Sequence, residues 1–252
     1  MGQAVDRDVL AQYLDELLAV GAIRDYCPNG LQVEGRPDIR RMVAGVTASQ
    51  ALLNEAVSTG ADAVLVHHGY FWKGEDARLL GTRRQRIKTL LANDISLFAY
   101  HLPLDGHAEL GNNAQLAKMF GWQAQGRFGE GEVGWFGEVT EPLTLSELTN
   151  KTTEILARTP LIIGDGWKKI RRIAWCSGGG DSYFEAAIAL GVDAFFSGEI
   201  SEPAVHLARE SGVAYLACGH HATERYGVKA LAEHLAEQFD IDCEFIDIDN
   251  PV

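Results

Sequence analysis

Two stretches of the chain share one pattern. ALLNEAVSTGADAVLVHH (51–68) can be laid over SYFEAAIALGVDAFFSGE (182–199). In each, a helical stretch runs into a glycine, Gly60 or Gly191. A short turn carrying Asp62-Ala63 or Asp193-Ala194 then leads into an apolar run of strand length. Glycine ends a helix because it takes the left-handed backbone without a side-chain clash. Strands alternating with helices in this way argue for a layered α/β fold. The echo continues in SLFAYHLPLD (96–105) and VAYLACGHHATE (213–224). Each ends a buried strand with a histidine and a carboxylate four residues on.

The periodicity predicts strands at 41–46, 62–66, 95–100, 170–176, 193–197, 213–218 and 243–248. It predicts helices at 6–20, 49–59, 80–92, 111–122, 143–157, 181–190, 202–211 and 223–238. Ser146 is the expected N-cap of 143–157, with Glu147 in its first turn. The fold class is therefore α/β, with layered mixed sheets in two duplicated domains. The glycine-rich stretch 126–139 marks a boundary, so the expected domains are 1–125 plus 220–252, which binds metal, and 126–219. That stretch contains a literal G-x-G-x-x-G at 129–134. It is not a dinucleotide fingerprint, because it joins no strand to a helix and would set two glutamates against a pyrophosphate.

Charge narrows the partners. At −13 the average surface repels a phosphate backbone, so nucleic acid is disfavoured. The basic run Arg83-Arg84-Gln85-Arg86 is expected to be a solvated helix face. No apolar stretch is long enough to span a membrane, and the acidic N-terminal stretch lacks a secretory pattern. The cysteines Cys27, Cys176, Cys218 and Cys243 form no C-x-x-C and fit no zinc spacing. Reduced thiols in a cytoplasmic protein are expected.

The chemistry collects at the predicted strand ends. VLVHHGYFWKG (64–74) runs a strand into His67 and His68. A strand would split these neighbours between its faces. The pair is therefore expected on a turn beyond Val66, with Gly69 allowing the bend. His101 with Asp105, and His220 with Glu224, hold the spacing that shares a helical face. In layered α/β sheets, ligands bind beyond the carboxyl ends of strands. Imidazole with carboxylate is a ligand set for zinc, iron or manganese, and the lack of thiolate argues against a closed structural zinc site. Five or six donors exceed one tetrahedral ion and suit two, with Asp105 or Glu224 able to bridge. His107, His206 and His234 are expected on the surface, and His221 is expected to face away from His220. CSGGGD (176–181) either cradles a phosphate or makes a tight turn.

PNGLQVEG, GVTAS, VHHGYFWKG, HLPLD, ELGNNAQLA, SGEISE and GHHATERYG occur in this order. Together they resemble the GTP cyclohydrolase 1 type 2 family, also called the Ngg-interacting-factor-three-like family, from the first helix to the final NPV. The resemblance implies two intertwined α/β domains, a dinuclear metal centre and a toroidal homohexamer. Its metal ligands fall on His67, His68, Asp105, His220 and Glu224, with His101 a ligand or a partner of one. Two divalent ions per subunit follow, whether Zn, Fe, Mn or Mg. Glu199, opposite His68 in the internal echo, and His101 are candidate catalytic proton carriers. The implied activity is metal-dependent hydrolysis of a small molecule, such as a purine nucleotide ring. The alternatives are a non-catalytic metal-stabilised assembly or adaptor, and a phosphoesterase.

Overall fold

The computed structural model describes residues 4–252. The first elements are β1 (Val5–Asp6), α1 (Arg7–Leu17), β2 (Gly30–Val33), β3 (Asp38–Ile39), β4 (Arg41–Thr47), α2 (Gln50–Ser58), β5 (Ala63–His68), α3 (Gly81–Ala92), β6 (Ser96–Ala99) and α4 (Leu102–Gly106). Then follow α5 (Asn112–Phe120), β7 (Gln123–Phe128), β8 (Gly134–Thr144), α6 (Leu145–Leu156), β9 (Leu161–Ile163), β10 (Lys169–Cys176), α7 (Phe184–Ala189), β11 (Ala194–Ser197), α8 (Glu202–Ser211) and β12 (Ala214–Ala217). Helix α9 (His220–Phe239) and strand β13 (Asp242–Phe245) close the chain.

These elements make two compact units. One comprises the chain up to Leu110 and Gly227–Asp249; the other comprises Gly111–Tyr226 and Asn250–Val252. The glycine-rich stretch is no boundary. Gln123–Phe128 is already a strand of the second unit, hydrogen-bonded antiparallel to β8, and the G-x-G-x-x-G lies between these two strands.

The first unit holds a five-stranded sheet in the order β13-β4-β5-β6-β2. Its strands β13, β4, β5 and β6 run parallel, and β2 is antiparallel at the edge. Side chains alternate between two cores, as strand geometry requires. Met42, Ala44, Leu65 and Phe98 pack with Leu10 and Leu14 of α1 and Leu231 and Leu235 of α9. Val43, Val64, Val66 and Leu97 pack with Leu52 and Leu53 of α2 and Leu90 of α3.

The second unit repeats the scheme with a six-stranded sheet, β7-β8-β10-β11-β12-β9. Its centre, β10-β11-β12, is parallel. On one face Ile173, Trp175, Phe196 and Leu216 meet Leu116 and Phe120 of α5 and Leu148 of α6. On the other, Phe195 and Tyr215 meet Phe184 of α7 and Ala208 of α8. Each large apolar side chain buried this way contributes roughly 1.5–3 kcal/mol.

The internal echo reaches individual hydrogen bonds. Gly60 and Gly191 both sit at φ 67°. Asp62 Oδ2 accepts the amides of Arg40 and Arg41 at 2.8 and 3.0 Å. Asp193 Oδ2 accepts those of Arg171 and Arg172 at 2.9 and 2.8 Å. In each half the aspartate ties the start of one parallel strand to the turn entering the next.

Three local expectations are corrected. The N-cap of α6 is Thr144, whose hydroxyl accepts the Glu147 amide while Glu147 accepts the Thr144 amide; Ser146 already lies inside the helix. Residues 181–190 are a 3-10 turn, Gly180–Tyr183, leading into the short α7. Helix α9 starts at His220 rather than 223, so His220 is a helical residue. No helix among the described residues is long and apolar enough to cross a membrane.

Candidate metal centre

Strand β5 does not stop at Val66. Its ladder to β4 pairs Thr47 with His68, so both histidines are the last residues of the strand. Their ring centroids are nonetheless 4.7 Å apart at a 43° tilt. Gly69 takes no left-handed φ. Its hydrogen is needed for space: a Cβ there would run into the Gln32 side chain and the Ala99 methyl.

His67, His68 and His101 each have Nδ1 occupied. His67, fully buried, turns Nδ1 to the Tyr100 carbonyl at 2.9 Å. A carbonyl only accepts, so Nδ1 carries the proton and Nε2 presents its lone pair. His68 Nδ1 lies 3.2 Å from Thr47 Oγ1. His101 Nδ1 meets Asp25 Oδ1 at 3.0 Å. One donor atom from each of His67, His68 and His101 falls within 4.8 Å of the others. Asp105, buried at the first turn of α4, brings Oδ2 to 3.4 Å from His67 Nε2. Partners of this kind fix ring orientation around a metal.

Asp25 is the residue the sequence reading missed. Its carboxylate accepts Asn29 Nδ2 at 2.9 Å and the Leu102 amide at 3.0 Å besides His101. Burial pushes this carboxyl up, but the hydrogen bonds from His101 and Asn29, the His101 charge and the Leu102 amide outweigh it and hold it at about 2. Asn29 Oδ1 in turn accepts the His101 amide at 2.7 Å. The only sequence signal was the position of Asp25 just before Pro28-Asn29-Gly30.

The second unit contributes a smaller set. His220 and Glu224 stand one turn apart on α9, with His220 Nε2 3.1 Å from Glu224 Oε2. His220 Nδ1 meets Glu199 Oε1 at 2.7 Å. Burial lowers the imidazole, but the hydrogen bonds and charges of Glu224 and Glu199 overcome this and raise it to about 9. Glu224 is buried. Gly178, at φ 62°, lies against this pair: a Cβ there would strike the Glu224 carboxylate and come within 3.0 Å of His220 Nε2.

The CSGGGD loop is a tight turn. Its Ser177 and Gly178 amides already donate to Asn113 Oδ1 and Thr223 Oγ1, both at 2.9 Å. His206 is exposed as expected. His107 and His234 are half-buried. His107 Nδ1 accepts the Glu109 and Leu110 amides, and His234 bonds the Tyr13 hydroxyl at 2.6 Å. His221 is buried, and its amide donates to the Val252 carbonyl. The basic run is only partly solvated: Arg83 stacks over Phe71 at 5.0 Å and reaches Glu75 at 3.6 Å.

Two layered α/β units with clustered histidine and carboxylate donors define a protein with groups able to hold a metal ion. The chain belongs to the Duf34/NIF3 (NGG1p interacting factor 3) family, whose pattern matches residues 5–251. It is 52% identical over 251 residues to a Pseudomonas aeruginosa protein described as "GTP cyclohydrolase 1 type 2 homolog", covering 98% of this chain and 99% of that one. It is 55% identical over 243 residues to an Escherichia coli K12 protein of the same description, covering 96% and 98%. A solved structure described as "protein ybgI, unknown function" superposes with a TM-score of 0.95 at 51% identity, covering 98% of this chain and all of that one.

Proposed function

We propose that this chain is a metal-dependent hydrolase with a dinuclear centre that acts on a purine nucleotide. The supporting observation is the shared orientation of the imidazoles. His67 and His101 hold Nδ1 against a carbonyl or a carboxylate, which leaves Nε2 to take an ion at His67 and a proton at His101. The ligands are His67, His68 and Asp105 with His220 and Glu224. The donor chemistry fits: nitrogen and oxygen atoms, no thiolate, and a glycine at position 178 that leaves room beside His220 and Glu224. Two bound divalent ions would lower the pKa of a water and polarise the bond it attacks.

The protein's own groups do the rest. Tyr100 and Asp25 hold the rings of His67 and His101 in one tautomer. His101, backed by the ionised Asp25, carries a proton at Nε2. Glu199 orients His220 and, being part exposed, passes protons to solvent. The relatives' description as GTP cyclohydrolase homologs favours a nucleobase ring as the bond attacked. A toroidal homohexamer in the cytoplasm belongs to the same reading.

The test is metal analysis of purified protein with GTP incubation under Zn, Fe, Mn and Mg, followed by purine absorbance. Loss of the purine band, abolished by His67→Ala, is expected. Bound metal with no change in GTP under any of these ions would overturn the hydrolase.

A further inference from the structure

Two aromatic rings beside the histidines have no place in either core. Tyr26 is 55% exposed, and Trp72 is half-buried. Neither packs in the clusters flanking the first unit's sheet. The Trp72 ring lies 5.0 Å from His101, edge to face at 84°, and 6.0 Å from His68. Tyr26 lies 5.4 Å from His101. The two rings are 6.3 Å apart at a 35° tilt, already in contact range for an aromatic pair.

The chain holds them there at a cost. Phe71 sits at φ 67°, a left-handed backbone that a bulky side chain rarely adopts. Such strain persists only where surrounding contacts over-determine it. Here Arg83 covers the Phe71 ring at 5.0 Å. The Tyr70 amide donates to Gln32 Oε1 at 2.7 Å, and Gln32 Nε2 donates to the Tyr70 carbonyl at 3.1 Å. The Lys73 amide donates to the Tyr26 carbonyl at 2.7 Å, which couples the two loops. The Tyr26 amide donates to Asp25, the carboxylate that holds His101. The position of both rings is thus fixed to the donor set by backbone bonds.

We propose that Tyr26 and Trp72 form a stacking platform for a flat heteroaromatic ring, the base of a nucleotide, and hold it beside His68 and His101. This rests on the nucleotide-hydrolase reading and names the part of the substrate that reading leaves unheld. Because the two rings are already within contact range of each other, the base lies across the pair rather than between them. Stacking needs only a π-face, so the platform selects planar bases and not one base. It adds affinity without touching the metals.

The experiment measures binding of GTP and of ribose 5-triphosphate to metal-loaded protein by calorimetry. The variants are Tyr26→Leu, Trp72→Leu, Tyr26→Phe and Trp72→Phe, each checked for unchanged metal content and thermal transition. Each leucine variant is expected to weaken GTP by roughly 5- to 150-fold and to leave ribose triphosphate unchanged. Each phenylalanine variant should recover most of the GTP affinity. Wild-type protein that binds GTP no tighter than ribose triphosphate overturns the platform, as do metal-replete leucine variants with full GTP affinity. A protein that never opens the GTP ring yet shows the ring-dependent preference for the base loses the hydrolase reading and keeps the platform.

Discussion

Replacing Asp25 by Asn separates the role of a buried charge from its shape. The side chain keeps its volume and loses the carboxylate that holds His101 Nδ1 at 3.0 Å. Two effects follow. Asp25 is held at about 2 in the folded chain against 3.8 for an unperturbed aspartate, a gap worth about 2 kcal/mol. The folded value is depressed, so this stability is fully present above 3.8 and is lost as pH falls toward 2. Metal-free wild type should therefore lose about 2 kcal/mol more than Asp25→Asn between pH 7 and pH 2. Urea unfolding at several pH values reads this difference. The second effect separates the two roles open to His101: if its imidazole ligates, removing its partner costs roughly 10- to 100-fold in metal affinity, and if it only carries a proton, metal affinity is unchanged. Competition against a chromogenic chelator measures it. Equal pH profiles would show that Asp25 carries no stabilising charge, and unchanged metal affinity would show that His101 is not a ligand.

Gly178→Ala should lose most metal affinity, because the added Cβ meets Glu224 and His220. Gly212→Ala is the control, left-handed at φ 73° with open space around it, and should cost only about 1–2 kcal/mol of stability by urea titration. Asp62→Ala and Asp193→Ala should each cost about 2–3 kcal/mol in the same titration, since each carboxylate satisfies two backbone amides. A loss at one site only would break the equivalence of the two halves. In metal-free protein the His220 value is raised from 6.5 to about 9, so its contribution is present below 6.5 and lost as pH rises through 9. Metal must displace that proton, so affinity at this site should climb with pH up to about 9 in chelator competition.

The parallel strands and their covering helices were legible because fully buried strands read as short apolar runs between glycine stops, as 63–66 and 194–197 do. The antiparallel strands β7, β8 and β9 were not. Gln123–Phe128 is mostly exposed or half-exposed and carries no apolar run. The glycine content that suggested a domain boundary instead serves packing: a Cβ at Gly126 or Gly134 would hit the rings of Phe136 or Phe128. At the site, His67, His68, His101, Asp105, His220 and Glu224 stood out as chemistry at strand ends. The groups that aim them did not. Thr47 ends the neighbouring strand β4, Tyr100 follows the end of β6, and Asp25 lies far from His101 in the chain. Only the fold brings such partners together. Strand β5 also extends through both histidines, because the ladder bond that pairs His68 with Thr47 has no signature in the run VLVHH.

Metal counting on the native protein bears most directly on the proposed dinuclear centre. Protein purified without added chelator is analysed by inductively coupled plasma mass spectrometry, with His67→Ala and His220→Ala alongside. About two divalent ions per chain are expected in the wild type, falling to about one or fewer in each variant. Fewer than about one ion per chain in the wild type, unchanged by either substitution, would contradict the metal centre itself.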